Sequence, residues 1–183
     1  MESGRASIEI ERKFLVANET WRAAAGPAVR YRQGYLSKTA LGTVRVRVSD
    51  GGAYVTIKGR RRGLTRRELS YAVPIGEAEE LLALCGRWML EKERHLVEHR
   101  GSIWEVDVYL GAAAGLVVAE IELEREDQLF AIPPWLGQEV SLDRRYRNSS
   151  IALQSEPYVT GESSRAAALQ AGACLTAGRS AAL

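Results

Sequence analysis

The first patterned segment of the chain reads IEIERKFLV at residues 8–16. Read with the two-residue period of a β-strand, its hydrophobic side chains fall on one face and its charged side chains on the other, with Arg12 as the exception. The charged face holds Glu9, Glu11 and Lys13. The pattern predicts a strand with one buried face, while the opposite face is either solvated or part of a site.

The same alternation recurs in further segments, which predicts several strands of the antiparallel type, each with one buried face. These segments are TVRVRVS at 43–49, YVTIKG at 54–59, RELSYAV at 67–73, EKERHLV at 91–97, IWEVDVYL at 103–110 and VVAEIELE at 117–124. Helical patterns are few and short, at 21–26 and 76–86. Seven or eight short strands with few helices predict a mainly β (α+β) chain that forms a barrel or a highly curved sheet.

The polar faces of these strands are segregated by the sign of their charge. The acidic faces hold Glu9, Glu11, Glu105, Asp107, Glu120 and Glu122, and the basic faces hold Arg45, Arg47, Lys92 and Arg94. For any single strand, a solvated face is the simpler interpretation, although solvated faces usually avoid adjacent like charges. Taken together, carboxylates that bind Mg²⁺ or Mn²⁺ and cations that bind phosphate oxygens suit a metal-chelated polyphosphate in one cavity.

Composition narrows the classes of partner. With 183 residues and a net charge of +2, the chain fits one core and has no overall field that calls for nucleic acid or a membrane. Cys85 and Cys174 lack a metal-ligand spacing, and His95 and His99 would lie roughly 13 Å apart on a strand. No apolar leader or spanning segment is visible, so a cytoplasmic protein is expected.

The last part of the chain differs in composition from the rest. Residues 156–183 are rich in Ala, Gly and Ser and lack a strong period. We therefore expect one domain over residues 1–155, followed by a poorly ordered C-terminal tail over 156–183. The basic run at residues 60–62 has two interpretations: a loop that guides anions to the mouth of a cavity, and a solvated loop, which is the favoured one.

EIERK at residues 9–13 has the ExExK form of the CYTH superfamily, the triphosphate tunnel metalloenzymes. The resemblance continues in order through RYRQGYL, TVRVRV, TIKG, RRE, EKERH, WEVDVY, VAEIELE and SLDRRYRN, and spans residues 8 to about 153. The local sequence around EIERKFLV and RQGYL is similar to that of the compact bacterial inorganic tripolyphosphatases. One departure is Ser70, where many relatives carry an acid two residues after Glu68.

The resemblance implies an eight-stranded antiparallel β-barrel that forms a tunnel with inward charges and a few flanking helices. It implies four ligands for Mg²⁺ or Mn²⁺: Glu9, Glu11, Glu120 and Glu122. It implies seven phosphate-binding cations: Lys13, Arg45, Arg47, Lys58, Lys92, Arg94 and Arg145. Lys13 and Tyr35 correspond to a catalytic dyad, although the residues alone favour a packing role for Tyr35. Glu68 and Asp107 are further candidates on the tunnel wall, and Glu105 and Glu124 are candidates because they share faces with matched acids.

The activity that the resemblance implies is the metal-dependent hydrolysis of inorganic triphosphate to pyrophosphate and phosphate. Two alternatives use the same charged residues. One is a class IV adenylate cyclase, which converts ATP to cyclic AMP and pyrophosphate, and the other is a polyphosphate- or nucleotide-binding module without turnover. In each case the partner is a small triphosphate, with no nucleic acid or membrane, and the chain is a monomer or a homodimer.

Overall fold

The structure is a computed structural model and describes residues 5–153 of the chain. The strands are β1 (Arg5–Val16), β2 (Val29–Lys38), β3 (Gly42–Ser49), β4 (Gly52–Gly59), β5 (Thr65–Val73), β6 (Met89–His99), β7 (Ser102–Tyr109), β8 (Val117–Glu122) and β9 (Leu136–Glu139). The α-helices are α1 (Ile75–Leu84) and α2 (Asn148–Ile151), and short 3₁₀ helices cover Glu19–Ala24, Gly111–Ala113 and Arg144–Tyr146. The predicted boundary at residue 155 and the tail at 156–183 lie outside the described residues.

Eight strands close into an antiparallel barrel in the order β5-β4-β3-β2-β6-β7-β8-β1. The long first strand closes it, because residues 5–10 of β1 pair with β5 and residues 11–15 pair with β8. The predicted mainly β fold with an eight-stranded antiparallel barrel is therefore confirmed. A ninth strand, β9, pairs with the end of β1 and was not predicted, because its four residues carry no alternating pattern.

The apolar faces of the strands point outward and are covered from outside. Helix α1 packs over β2, β3 and β4 through Ala78 and Leu82. On the other side, the Trp104 ring of β7 meets Phe14 and Trp135 edge to face, each with ring centroids 5.7 Å apart. Because the apolar side of each strand is used for this outer packing, the charged sides point into the barrel.

Arg12, the exception in the first strand, lies on the outer face. Its Nε donates to Glu139 Oε1 at 2.8 Å, and its guanidinium lies 5.1 Å from the centre of the Phe130 ring. The charge is thus paired at the rim of the outer aromatic cluster, which lets a cation occupy an otherwise apolar face.

One end of the barrel interior is filled by uncharged side chains. On neighbouring strands, Tyr35 lies opposite Arg45, Tyr109 opposite Lys92, and Val118 opposite Asp107. Residues directly opposite each other lie on the same face, so these three uncharged side chains also point inward. They cluster with Ile151 of α2, and the Tyr109 hydroxyl donates to Asn148 Oδ1. Helix α2 therefore closes this end of the interior.

Among residues 5–153, no helix is long and apolar enough to cross a membrane. His95 and His99 lie on β6, as expected. His95 Nδ1 lies 3.1 Å from the carbonyl oxygen of Gly26, and its ring packs edge to face on Trp21. His95 is thus used in packing the outer face.

Candidate active site

Charged side chains from seven strands of the barrel and from two nearby loops line a cavity of about 260 Å³, which we call the tunnel. The predicted metal ligands Glu9, Glu11, Glu120 and Glu122 all line it. Six predicted phosphate-binding residues do so as well: Lys13, Arg45, Arg47, Lys58, Lys92 and Arg94. Glu68 also lines the tunnel, and the fully buried Asp107 lies behind its wall, bonded to Lys92 and Arg94. The alternation along each strand thus brings these residues together.

Glu9 lies at the junction of three cations. Its Oε1 accepts from Lys58 Nζ at 2.6 Å, its Oε2 accepts from Arg66 Nε, and Arg61 Nη2 lies 3.8 Å away. Burial alone would raise the pKa of Glu9, but Lys58 and Arg66 outweigh burial and hold it far below its ordinary value. Glu9 is therefore a carboxylate at any physiological pH.

Lys13 lies between two carboxylates of the tunnel. Its Nζ donates to Glu120, its cross-strand neighbour, and lies 3.7 Å from Glu11 Oε1. Burial would lower the pKa of Lys13, but the attraction of Glu11 and Glu120 outweighs burial and raises it. Lys13 therefore holds its proton firmly.

Glu11 and Glu122 face each other directly across β1 and β8. Like charges in this position repel each other. The pKa of Glu122 is raised by burial and by the charges of Glu9, Glu68 and Glu11. A divalent cation would relieve this repulsion, and carboxylate oxygens are the ligands that Mg²⁺ and Mn²⁺ prefer.

Within residues 5–153, no three acidic, histidine or cysteine side chains are already gathered around one point. The reason is visible in the ion pairs, because Lys58 and Arg66 hold Glu9, and Arg61 Nη2 lies 3.2 Å from Glu11 Oε1. The four predicted ligands thus fit a divalent metal in chemistry and charge, but metal would have to compete with these cations for their oxygens.

Asp107 anchors the basic side of the tunnel. Arg94 donates to both carboxylate oxygens of Asp107 at 2.6 Å, and from Nη2 to Glu120 Oε2 at 3.0 Å. Lys92 Nζ also donates to Asp107. This fork geometry fixes Arg94 and Lys92 in place, so Asp107 acts by positioning two cations.

Arg45 and Arg47 have no carboxylate within ion-pair distance in the part of the chain that the structure describes. Arg45 Nη2 lies 3.4 Å from the Thr56 hydroxyl oxygen, and its buried Nε has no hydrogen-bond partner among the described residues. The Arg47 guanidinium lies over the Tyr31 ring, 5.0 Å from its centre. Neither guanidinium group is engaged by a described carboxylate, so both can bind an anion.

The predicted dyad of Lys13 and Tyr35 is only loosely assembled. Tyr35 does not line the tunnel; it packs in the apolar closed end, where its hydroxyl accepts from Gln33 Nε2 at 3.2 Å. Lys13 donates to Glu120 and is not hydrogen-bonded to Tyr35 among the described contacts. Burial raises the pKa of Tyr35, so its hydroxyl keeps its proton at neutral pH.

Arg145 is the predicted cation that the structure places elsewhere. Its side chain is 74% exposed and pairs with Asp143 at 2.6 Å, whereas Arg147 of the same segment lines the tunnel. The short 3₁₀ helix at Arg144–Tyr146 has no two-residue period, so the sequence pattern could not tell which arginine faces inward.

Two further tunnel cations were missed. Arg66 shares the inward face with Glu68, so the alternation already seen in β5 would have found it. Arg61 was expected in a solvated loop, and this prediction was wrong: its side chain is only 9% exposed because it reaches Glu11. Glu105, on the same face as Asp107, also lines the tunnel.

Lys92 gives the tunnel a pH dependence. Burial, followed by the charge of Arg94, lowers the pKa of Lys92 from 10.5 to about 8. As the pH rises through about 8, Lys92 therefore loses its proton in the folded chain. Between that pH and 10.5 the unfolded chain binds more protons, so this group makes the fold more stable as the pH rises.

We expect ¹³C NMR of lysine-labelled protein to show one Cε resonance that titrates near pH 8, and that is missing in Lys92→Met. Over the same range, the KM for an anionic substrate is expected to rise as the positive charge disappears. A Lys92 resonance that titrates near 10.5 would contradict the prediction.

Comparisons with known proteins find relatives that are named inorganic triphosphatases. The chain is 44% identical over 151 residues to an inorganic triphosphatase of Acetivibrio thermocellus, covering 82% of this chain and 95% of the relative. It is 37% identical over 150 residues to an inorganic triphosphatase of Nitrosomonas europaea, covering 79% and 97%.

The crystal structure of the inorganic triphosphatase NE1496 superposes with a TM-score of 0.60 at 34% identity, covering 80% of this chain and 99% of that one. The family model of the CYTH domain matches residues 7–155. A barrel with inward charges, two relatives above 30% identity and a match over most of its length show that this chain belongs to the CYTH family.

Proposed function

We propose that this chain is an enzyme that hydrolyses inorganic triphosphate to pyrophosphate and phosphate, with Mg²⁺ or Mn²⁺ as cofactor. The observation that carries the proposal is the tunnel itself: a cavity of about 260 Å³, lined by both carboxylates and cations. Its size is below the usual range for drug-sized ligands, which suits a compact polyanion. The names of the two curated relatives agree with this substrate.

In this proposal the basic wall binds the phosphate groups. Arg45 and Arg47 bind phosphate oxygens through their planar forks, since neither is engaged by a described carboxylate. Lys58, Lys92 and Arg94 add charge from neighbouring strands. We assign Arg147, which lines the tunnel, to this set in place of the exposed Arg145.

The acidic residues Glu9, Glu11, Glu120 and Glu122 would hold the divalent metal. When bound, the metal would neutralise charge on the transferred phosphoryl group. Arg61 pairs with Glu11, and Lys58 pairs with Glu9. Without metal, these cations neutralise the charge of the two carboxylates. When the carboxylates bind metal instead, the cations become available to bind phosphate.

Lys13 and Tyr35 have different roles in this proposal. Lys13 keeps its proton because Glu11 and Glu120 raise its pKa, so it contributes a fixed positive charge beside the metal ligands. Tyr35 keeps its hydroxyl proton because burial raises its pKa. The Tyr35 hydroxyl accepts from Gln33 and can still donate its own proton. For Tyr35 to act in a dyad, this hydroxyl must come within hydrogen-bond distance of Lys13 or a phosphate oxygen when substrate binds.

The test is phosphate release from tripolyphosphate by the full chain, with Mg²⁺, with Mn²⁺ and with a chelator. We expect release of one phosphate and one pyrophosphate per turnover, and only with metal. ATP and thiamine triphosphate are assayed in parallel with product analysis. Cyclic AMP as the main product would favour the class IV adenylate cyclase instead. Tight binding of tripolyphosphate without any product would indicate a binding module.

We further propose a cytoplasmic protein that acts as a monomer or a homodimer on a small-molecule substrate. Gel filtration with light scattering measures the oligomeric state directly.

A further inference from the structure

A second cavity of about 520 Å³ lies beside the tunnel. Lys38, Arg60 and Arg144 line this cavity but not the tunnel, and we call it the basic pocket. Four cations line both cavities, namely Lys58, Arg61, Arg66 and Arg147, so the two cavities are separated by no more than the side chains that they share.

The charge of the basic pocket differs from that of the tunnel. Seven lysine and arginine side chains line it, and the described lining residues include no aspartate or glutamate. The described lining also lacks aromatic rings on which a base would stack. A nucleoside therefore finds no stacking partner there, whereas a multiply charged oxyanion finds cations on several sides.

Lys58, Arg61 and Arg66 are paired with carboxylates of the tunnel. The other four cations, Lys38, Arg60, Arg144 and Arg147, have no carboxylate within ion-pair distance among the described residues, and they repel one another in the absence of an anion. The Nε of Arg147 is buried and has no hydrogen-bond partner among the described residues. The pKa of Arg147 is lowered by burial and then by Arg61 and Arg144, and that of Lys38 by burial and then by Arg147. The side chains of Arg60 and Arg144 make no hydrogen bond or ion pair with another residue in the range 5–153. An anion would supply the missing partners.

We propose that the basic pocket is a second anion site, which binds a phosphate group outside the triphosphate held in the tunnel. This inference depends on the proposed function only for the origin of that phosphate. The phosphate is either released orthophosphate or the fourth group of a longer linear phosphate chain. In both cases the four shared cations, Arg61 and Arg147 among them, connect this phosphate to the tunnel.

The test uses the double variant Arg60→Ala/Arg144→Ala in the full chain. The matched control is Arg30→Ala/Arg125→Ala, which removes the same charge from residues that line neither cavity. Calorimetric titration with orthophosphate is expected to show two classes of site in the wild type and the control. The basic-pocket variant should retain only the tunnel class.

Turnover identifies the source of the bound phosphate. If it is the fourth group of a chain, kcat/KM for linear tetraphosphate should fall about tenfold in the basic-pocket variant, the loss of about 1.4 kcal/mol. With tripolyphosphate, the variant should stay within about twofold of wild type, since neither residue lines the tunnel. If the source is free orthophosphate, only the titration changes.

The proposal is overturned if the variant and its control behave alike in both the titration and the tetraphosphate assay. Failure of the proposed function is a different result, since it appears as absent phosphate release from tripolyphosphate by the wild type. In that event the orthophosphate titration still decides whether the basic pocket binds an anion.

Discussion

Replacing Glu11 with glutamine is expected to lower phosphate release from tripolyphosphate by about a thousandfold, which corresponds to about 4 kcal/mol of lost transition-state stabilisation. Glutamine preserves the size of the side chain and still accepts from Arg61, whose Nη2 lies 3.2 Å from Oε1. It removes the charge that a divalent metal requires. The change also relieves the repulsion between Glu11 and Glu122, which face each other across β1 and β8. It also removes the attraction of Glu11 for Arg61 and Lys13. These two effects on stability oppose each other, so activity should fall far more than stability.

Two measurements separate these effects. Electron paramagnetic resonance of added Mn²⁺ should show much weaker binding in Glu11→Gln, while the midpoint of thermal unfolding stays close to that of wild type. Glu124→Gln is the control, because Glu124 lies two residues beyond Glu122 in the chain but is exposed and does not line the tunnel. Wild-type turnover in Glu11→Gln would remove Glu11 from the proposed metal site.

The two-residue period made most of the barrel and its lining predictable. In a strand, one known inward residue determines the inward residues two and four positions away, as Glu9 does for Glu11 and Lys13. The same rule places Arg66 beside Glu68, so its omission was a failure to extend a pattern that was already visible. The sign of the charge on each face then indicated which strands supply metal ligands and which supply phosphate-binding cations.

Loops and short helices lack that period, so the sequence alone could not show which of their side chains point into the tunnel. Arg61 turns inward because Glu9 and Glu11 attract it, which is a contact between residues 50 positions apart. The choice of Arg147 over Arg145 depends on how the 3₁₀ helix at Arg144–Tyr146 lies against the barrel. The apolar closed end depends on α2 meeting Tyr109, another long-range contact. Such directions follow from tertiary packing and not from local pattern.

Ser70 links the one visible departure from the family pattern to the behaviour of Arg45. The Ser70 hydroxyl lies 3.3 Å from that of Thr56, and Thr56 in turn lies 3.4 Å from Arg45 Nη2. An acid at position 70 would offer a negative charge on this side of Arg45. With two neutral hydroxyl groups there instead, Arg45 keeps its charge available for a phosphate.

Arg45→Ala is therefore expected to lower kcat/KM for tripolyphosphate by about a hundredfold, the loss of about 3 kcal/mol from a charged fork of two hydrogen bonds. Arg45 is 7% exposed and has no carboxylate within ion-pair distance among the described residues, so its removal leaves no buried anion without a partner. Arg45→Lys should recover only part of the loss, because an ammonium binds phosphate as a point charge. Steady-state rates over a range of tripolyphosphate concentrations measure both effects.

Arg67→Ala is the control for the charge removed, since Arg67 is exposed and does not line the tunnel. It should turn over substrate as the wild type does. A second variant, Ser70→Asp, tests the cause, because an added carboxylate near Thr56 should engage Arg45 and raise the KM for tripolyphosphate without unfolding the barrel. If Arg45→Ala binds and turns over tripolyphosphate like Arg67→Ala, Arg45 has no part in holding the substrate. If Ser70→Asp leaves the KM unchanged, the absence of an acid at position 70 is not what keeps Arg45 available.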